Sequence, residues 1–284
     1  MIRRRAPIAL WLGAGLLGLI TCAVALGPLL WGIGPDQIEL TARNQGGSLA
    51  HPLGTYQLGR DMLARVLTGG RISLAVGLVA MAVAVGFCTA VGVLAGMIRW
   101  LDGPLMRLTD LFLSLPLLPL VLIAIMLFRA PLSAAFGPEA GIFLLVVITI
   151  GATSWMPTAR VVRGEVLGIM SRSFIAAARS TGTSLPRMAL RHVLPNVSAA
   201  IVVSATLSIA GAIITESTLS FLGLGFPPDF PTWGRLLNDG TPYLSDYPGR
   251  ALWPGVLISL SVLGIAYLGD ALRDRTDPRH HARR

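Results

Sequence analysis

Lysine is missing from this chain of 284 residues: all 23 of its Lys-plus-Arg positions are arginine. That excludes mechanisms built on a lysine amine, including the P-loop NTPase, the protein kinase and the Schiff-base enzyme. If ATP drives this protein, another chain hydrolyses it. Cysteine is confined to Cys22 and Cys88, too few for a disulfide scaffold. Both lie in apolar runs and read as buried thiols. Charge is scarce as well, at 13% of residues, where ordinary soluble domains carry about 25%. Apolar residues fill the gap, at 54% of the chain and a mean hydropathy of +0.70. A soluble domain cannot hide that much apolar surface, and a disordered chain would be polar. The composition reads as an all-α integral membrane protein.

A spanning helix needs about 20 apolar residues. Charge-free runs at 6–35, 72–98, 111–128, 140–159, 192–215 and 251–269 predict six transmembrane helices. The third run is the shortest, contains Pro116 and Pro119, and is expected to start before Asp110. Placing the N- and C-termini in the cytoplasm satisfies the positive-inside rule. Inside segments 1–5, 99–110, 160–191 and 270–284 then hold 16 Arg against 6 acidic residues. Outside segments 36–71, 129–139 and 216–250 hold 7 Arg against 8 acidic residues. The net charge of +9 thus follows from topology and needs no nucleic acid. Four outside arginines, Arg43, Arg60, Arg65 and Arg71, run against the rule. Arg3-Arg4-Arg5 before an apolar run also resembles a signal peptide. Since that run continues to Trp31, past the roughly 7–15 residues of a signal core, an uncleaved first helix is expected. No internal repeat is visible.

The segment from Arg160 to Asn196 is long and patterned. Val162, Val166, Ile169 and Met170 recur at helical spacing, as do Phe174, Ala177, Ala178 and Thr181, while Arg172 and Arg179 share the other side. Gly182 is expected to end that helix in a left-handed conformation. Thr183 or Ser184 can cap the next one, Pro186 suits its first turn, and Pro195 marks the start of the fifth span. A short helix with a small-residue face (Ala176, Ala177, Ala178) and a basic face can dock in a protein groove or lie on anionic lipid.

Phe174-Ile-Ala-Ala-Ala-Arg-Ser-Thr-Gly182, nine residues and then His192-Val-Leu-Pro195 resembles the EAA loop of ABC importer permeases. Ala177, Ala178, Gly182, Leu194 and Pro195 match that pattern, while Ala176 stands where the family has glutamate. His51-Pro-Leu-Gly-Thr-Tyr-Gln-Leu-Gly-Arg-Asp61 resembles a segment of the dipeptide, oligopeptide and nickel importer permeases, with Tyr56 in place of the usual Asp. Segments starting at Asp110, Trp155 and Glu216, and Pro231-Thr-Trp-Gly234, look like the same subfamily. The resemblance implies a type I importer permease in which Ala176, Ala177, Ala178, Arg179, Gly182, Leu194 and Pro195 form a coupling helix and its flank. Arg172 and Arg179 stand nearby as a different polar contact. It further implies a second permease, two cytoplasmic ATPase subunits holding ATP and Mg, an outer substrate-binding protein and a bacterial inner-membrane location. This chain itself would hold no cofactor or metal and catalyse nothing. The chain would divide into residues 1–71, a helix and outer segment, and residues 72–284, the permease core with its coupling loop at about 160–195.

Cargo would be a peptide or, alternatively, nickel or another small solute. Ser204, Ser208, Thr215 and Glu216 are the candidate pathway residues, although intramembrane hydroxyls also bond back to their own helix. Glu216 is expected at the membrane interface, either hydrated or packed between helices. His51 and Asp61 lack a third metal ligand, and Asp61 is expected to pair at the surface with Arg60 or Arg65. His280 and His281 read as solvated. The apolar run 219–224 is expected to re-enter the protein, with Asp229, Asp239 and Asp246 facing outward. An intramembrane hydrolase finds no Gly-x-Ser-x-Gly, no His-Glu-x-x-His and no mid-span histidine. A self-contained secondary transporter would show charge in mid-span or an inverted repeat.

Overall fold

The computed structural model describes residues 5–227 and 229–276. Arg3, Arg4, Pro228, His280 and His281 lie outside the described residues. The described residues form eleven α-helices: α1 (Arg5–Trp31), α2 (Met62–Met97), α3 (Arg99–Ser114), α4 (Leu117–Phe136), α5 (Pro138–Ser154), α6 (Met156–Met170), α7 (Ser173–Ser180), α8 (Leu185–Met188), α9 (Leu194–Phe221), α10 (Trp233–Gly240) and α11 (Gly249–Thr276). A π-turn over Ala189–Val193 joins α8 to α9 into one apolar helix of 37 residues. Five helices are long and apolar enough to cross a membrane, or six if α5 and α6, bent by 46°, count as one span.

Several expected boundaries move, each for a physical reason. The second span starts at Met62, ten residues before 72, because the Asp61 side chain accepts the Ala64 N–H at 2.6 Å and caps α2. The third span does not start before Asp110. Pro116 has no N–H to donate, and Leu115 before it is extended at ψ 135, so α3 ends and α4 begins beyond. The fourth span is likewise broken at Trp155, ahead of Pro157. The fifth continues past 215 to Phe221.

Helix α2 is the axis of the bundle and packs against α1, α3, α5, α6, α9 and α10. At about 1.5 Å per residue its 36 residues outrun the roughly 30 Å hydrocarbon layer. Val76 and Ala80 meet Val121 and Ile125 of α4, Leu145 and Ile150 of α5, and Ala212 and Leu219 of α9 in the main core. Gly92 and Gly96 let α6 approach: a Cβ at Gly92 would lie 2.7 Å from Val162, and one at Gly96 2.5 Å from Val166. This small-xxx-small spacing is the usual route to close helix packing in a bilayer.

Helix α1 packs along α11, with Ile20 and Val24 beside the buried Trp233 of α10. Its Pro28 leaves the Val24 carbonyl without a helical donor, and Arg71 of α2 supplies one, Nε to Val24 O at 3.0 Å and Nη2 to Ala25 O at 2.6 Å. Arg65 lies over the Tyr56 ring, and Arg60 sits 3.8 Å from Asp36. Three of the four arginines that break the charge rule therefore serve the fold. Cys88 is buried as expected, but Cys22 is exposed on the outward side of α1. An apolar run alone does not separate a core-facing thiol from one facing outward.

Candidate functional site

Helix α7 hangs beyond the end of α6 and is held by little of its own. Ile175 is fully buried, while Ala176, Ala177 and Arg179 are exposed and Phe174 is 43% exposed. The small-residue face expected to meet a partner or lipid, Ala176, Ala177 and Ala178, is largely open, and Ile175 anchors the helix to its own chain. Gly182 closes the helix with φ +74. The Thr183 N–H reaches Ala178 O at 3.1 Å and the Gly182 N–H reaches Arg179 O at 2.9 Å, the paired bonds of a Schellman turn. No atom lies within 4 Å of where a Gly182 Cβ would stand, so backbone conformation alone calls for glycine there. Ser184 occupies the N-cap of α8, but neither it nor Thr183 makes a side-chain cap; Pro186 sits in the first turn. Phe174 rests against the His192 ring, centroids 6.4 Å apart. Leu194 is half-buried and Pro195 exposed.

Behind the hairpin, Val162 and Val166 of α6, Val93 of α2, and Val193 and Val197 of the α8–α9 helix form one buried cluster. Arg163 is paired with Asp102, its Nη2 donating to Oδ2 at 2.6 Å, and Arg160 with Asp110, so α6 is also tied to α3. The guanidinium holds the Asp102 carboxyl below the usual carboxylate range, chiefly by donating hydrogen bonds to it.

A cavity of about 370 Å³ opens where the two broken helices meet α9. Leu115 and Leu117 flank the first break, Ser154, Met156 and Pro157 the second, and Ser208, Gly211 and Thr215 line the α9 wall. Irregular backbone at membrane depth is tolerated where it lines such a cavity. Ser204 joins Ser208 in an adjoining groove. The hydroxyls here bond back to their own helices, Ser208 to Ser204 O at 2.9 Å and Thr215 to Gly211 O at 2.8 Å. What they offer the cavity is oxygen lone pairs and no charge.

Glu216 does not belong to that wall and is not at a hydrated interface. It is fully buried, accepting from Ser73 at 3.0 Å and from Ser220 at 2.8 Å. Ser73 Oγ in turn accepts the Trp233 N–H at 3.2 Å, so the carboxylate ties α2 and α9 to the start of α10. Of the run 219–224 only the start is inside, with Leu219 1% and Leu222 53% exposed; re-entry is completed by Trp233 and Leu236, both fully buried. Asp239 pairs with Arg235 at 3.0 Å. Asp61 is buried too, accepting from Trp31 Nε1 at 3.1 Å and lying 2.7 Å from His51 Nδ1, rather than pairing at the surface. Burial also pushes the Tyr56 hydroxyl above the ordinary tyrosine range.

Sequence reasoning missed Arg250. It is fully buried with its guanidinium over Tyr247 at 4.4 Å, Tyr243 at 4.9 Å and Tyr56 at 5.4 Å. Nη2 donates to Asn44 Oδ1 at 2.7 Å and Thr55 O at 2.8 Å. The dense tyrosines near Arg250 were the available signal. Among the described residues no group of three His, Cys, Asp or Glu is placed to hold a metal ion.

An all-α bundle of this kind, with broken spans around a largely apolar cavity that carries a few hydroxyls and an exposed helical hairpin at one end, fits a multi-span membrane permease. Residues 82–281 match the family described as the binding-protein-dependent transport system inner membrane component, and the chain belongs to that family. It is therefore a transport subunit of the inner membrane and not an enzyme. A protein of Brucella suis biovar 1 (strain 1330), provisionally named a peptide permease, is 40% identical over 283 residues, 98% of this chain and 88% of that protein. A Brucella ovis protein of the same kind of name is 39% identical over 283 residues. The oligopeptide transport system permease protein OppC of Mycobacterium bovis is 36% identical over 278 residues, 98% of this chain and 91% of that protein.

Proposed function

We propose that this chain is one half of the translocation path of a peptide importer, working by alternating access. It would cross the membrane six times, counting bent α5–α6 as one span, with both termini in the cytoplasm. A second, related permease completes the path, two ATPase subunits bind at the α7 end, and an outer binding protein delivers cargo at the α10 end. ATP binding would close the ATPase pair, move the hairpins and turn the path outward; hydrolysis would reset it. Peptide cargo is supported by the names of the relatives and by neutral acceptors, Ser208 and Thr215 in the cavity and Ser204 in the adjoining groove, rather than charge. Glu216 we assign to holding α10. Residues 1–71 and 72–284 are offered as a functional division only, since α2 runs through the boundary.

The observation that carries the reading is the hairpin. Helix α7 is short, exposed and closed by a left-handed glycine, and α6 connects it to the cavity wall. Ala176, Ala177, Ala178 and Arg179 would enter the ATPase, with Gly182 fixing the turn and Leu194 and Pro195 fixing its return. A β-branched residue at Gly182 is strained at φ +74 by about 1–2 kcal/mol. Gly182→Val is expected to leave the protein inserted but abolish stimulated ATP hydrolysis and peptide uptake in vesicles. Normal uptake and stimulation in that variant would sink the coupling assignment. Mild-detergent purification from the native membrane should recover a P-loop ATPase and a second permease; a stable partner-free chain would favour a self-contained transporter.

A further inference from the structure

At the α10 end, arginines from three parts of the chain line one pocket. The cavity, of about 270 Å³, is walled by Arg60 of the segment before α2, Arg65 of the first turn of α2 and Arg235 of α10, together with Tyr56 and Gln57. Arg60 and Arg65 are two of the arginines that the positive-inside rule would not place on this side. Two acids share the lining, Asp229 and Asp239, so three positive charges meet two negative ones. Asp239 is taken by Arg235 at 3.0 Å, and Asp229 is exposed, where solvent screens it. The lining thus keeps a net positive charge.

The fold does not satisfy the polar atoms of this wall. Tyr56 is 3% exposed, and among the described residues its hydroxyl has no hydrogen-bond partner. Neither has Arg60 Nε. Arg60 Nη1 stands 3.8 Å from Asp36, too far for a hydrogen bond, and the Asp36 side chain is 54% exposed. Gln57 Oε1 is buried without a donor; turned over, the same amide presents N–H groups. The Arg65 guanidinium lies 5.5 Å from the Tyr56 ring centre, which fixes its charge beside the hydroxyl. Buried polar groups without partners are costly. Here they gather around one cavity, and burial keeps the Tyr56 hydroxyl protonated, so it can donate. Donors and net positive charge around a small cavity are complementary to an oxyanion. The segment that Tyr56 belongs to resembles one with Asp at this position. A carboxylate there would itself answer the arginines, and a tyrosine leaves their charge to something else.

We infer that this pocket binds one oxyanion, a carboxylate or a phosphate, to which Arg60 and the Tyr56 hydroxyl donate while Arg65 supplies charge. Two sources offer that chemistry: the C-terminal carboxylate of a peptide and the phosphate of a lipid headgroup. A peptide terminus would rest on the peptide-importer reading; a phosphate would not. Neither depends on the coupling role of α7.

The test uses the complex purified from its native membrane, as wild type and with Tyr56→Phe, Arg60→Gln or Tyr56→Asp in the permease. Amide hydrogen exchange across residues 54–66 reports on this pocket, apart from any phosphate that the ATPase binds. The probes are inorganic phosphate, triglycine with a free C-terminus and triglycine amide, at constant ionic strength. Phosphate or free triglycine is expected to slow exchange saturably in wild type, and the amide is not. Tyr56→Phe and Arg60→Gln should each raise the half-saturating concentration about tenfold, and Tyr56→Asp should abolish the response. Because Tyr56 Oη and Arg60 Nε have no partner in the fold, the first two variants should exchange as wild type does without probe. A response to phosphate alone assigns the site to a phosphate, and one to free triglycine alone assigns it to a peptide terminus; both support the inference. No saturable protection by phosphate or by free triglycine beyond that of the amide would overturn it and leave the pocket to water. So would protection that is unchanged in Tyr56→Phe and Arg60→Gln. None of these results moves the Gly182→Val test, so the coupling reading stands or falls separately.

Discussion

The two ends of the bundle are built on opposite plans. At the α10 end the charged groups are inside: Glu216 and Arg250 are fully buried, Asp61 is 1% exposed and His51 7%. Each is met by side chains or backbone of the same chain. At the α7 end the arginines of the hairpin are outside, and only apolar anchors, Ile175, Met188 and Val193, are buried. Burial of a charge is costly unless the fold pairs it. The α10 end thus holds these four charged or titratable groups within one chain, although Tyr56 Oη, Gln57 Oε1 and two nitrogens of Arg250 are buried there without a hydrogen-bond partner. The α7 end leaves its arginines in the open, the arrangement the proposed docking role requires.

The contrast is broken most severely at Arg250. Truncation to alanine leaves the Asn44 amide oxygen and the Thr55 carbonyl without their donor and empties a cage of three tyrosines. A loss of about 3–5 kcal/mol is expected, read as the melting temperature of the detergent-purified protein. A melting temperature equal to that of R179A would show that the cage contributes nothing. Next comes Glu216→Ala, which strips Ser73 and Ser220 of their shared acceptor and loosens the seat of α10. We expect about 2–3 kcal/mol, with Glu216→Gln intermediate because its amide keeps one acceptor oxygen. Equal melting of the alanine and glutamine variants would argue against the hydrogen bonds as the cause.

The same substitution at two glycines sharpens the comparison. A Cβ at Gly234 would stand 2.2 Å from the Ser217 carbonyl, a backbone atom held by α9. A Cβ at Gly182 would meet nothing, and its cost is the left-handed backbone, about 1 kcal/mol. Gly234→Ala should therefore destabilise the protein by about 2 kcal/mol or more, while Gly182→Ala leaves the melting temperature nearly unchanged and lowers coupled transport. The reverse ranking would mean that α10 yields and the hairpin does not.

Where the sequence was legible, local chemistry was strong enough to act alone. The left-handed stop at Gly182, the helical run of Val162 and Val166, and the six apolar stretches were all readable from spacing and composition. The span limits were less so. A charge-based boundary puts the start of α2 at 72, because Arg65 and Arg71 look like loop residues until the Tyr56 ring and the Val24 carbonyl are seen beside them. Asp61 was misplaced at the surface for the same reason, and of the two roles open to Glu216, hydrated or packed between helices, the structure has the second. Their partners, Ser73 for one and His51 with Trp31 for the other, are distant in sequence or weakly polar. Prolines 116 and 157 were visible, but whether a proline kinks a span or splits it depends on the neighbouring helices.

The smallest expected effect concerns the ties that hold α6 to α3 behind the hairpin. Asp102 is bound by Arg163 and kept ionised below the usual range, with both side chains about a third exposed or less, at 27% and 31%. The unfolded chain takes up the Asp102 proton at a higher pH than the folded one. The contribution of the pair is thus complete above about pH 4 and is lost as the pH falls through the lower folded value. For a partly exposed pair it amounts to less than about 1 kcal/mol. Asp102→Asn should melt slightly below wild type at pH 7 and together with it at about pH 2, and added salt should shrink the gap. Salt should leave the Arg250→Ala deficit in place, because that guanidinium is out of reach of solvent ions. A salt response of equal size at both positions would remove the distinction between a charge sealed in the fold and one held at its edge.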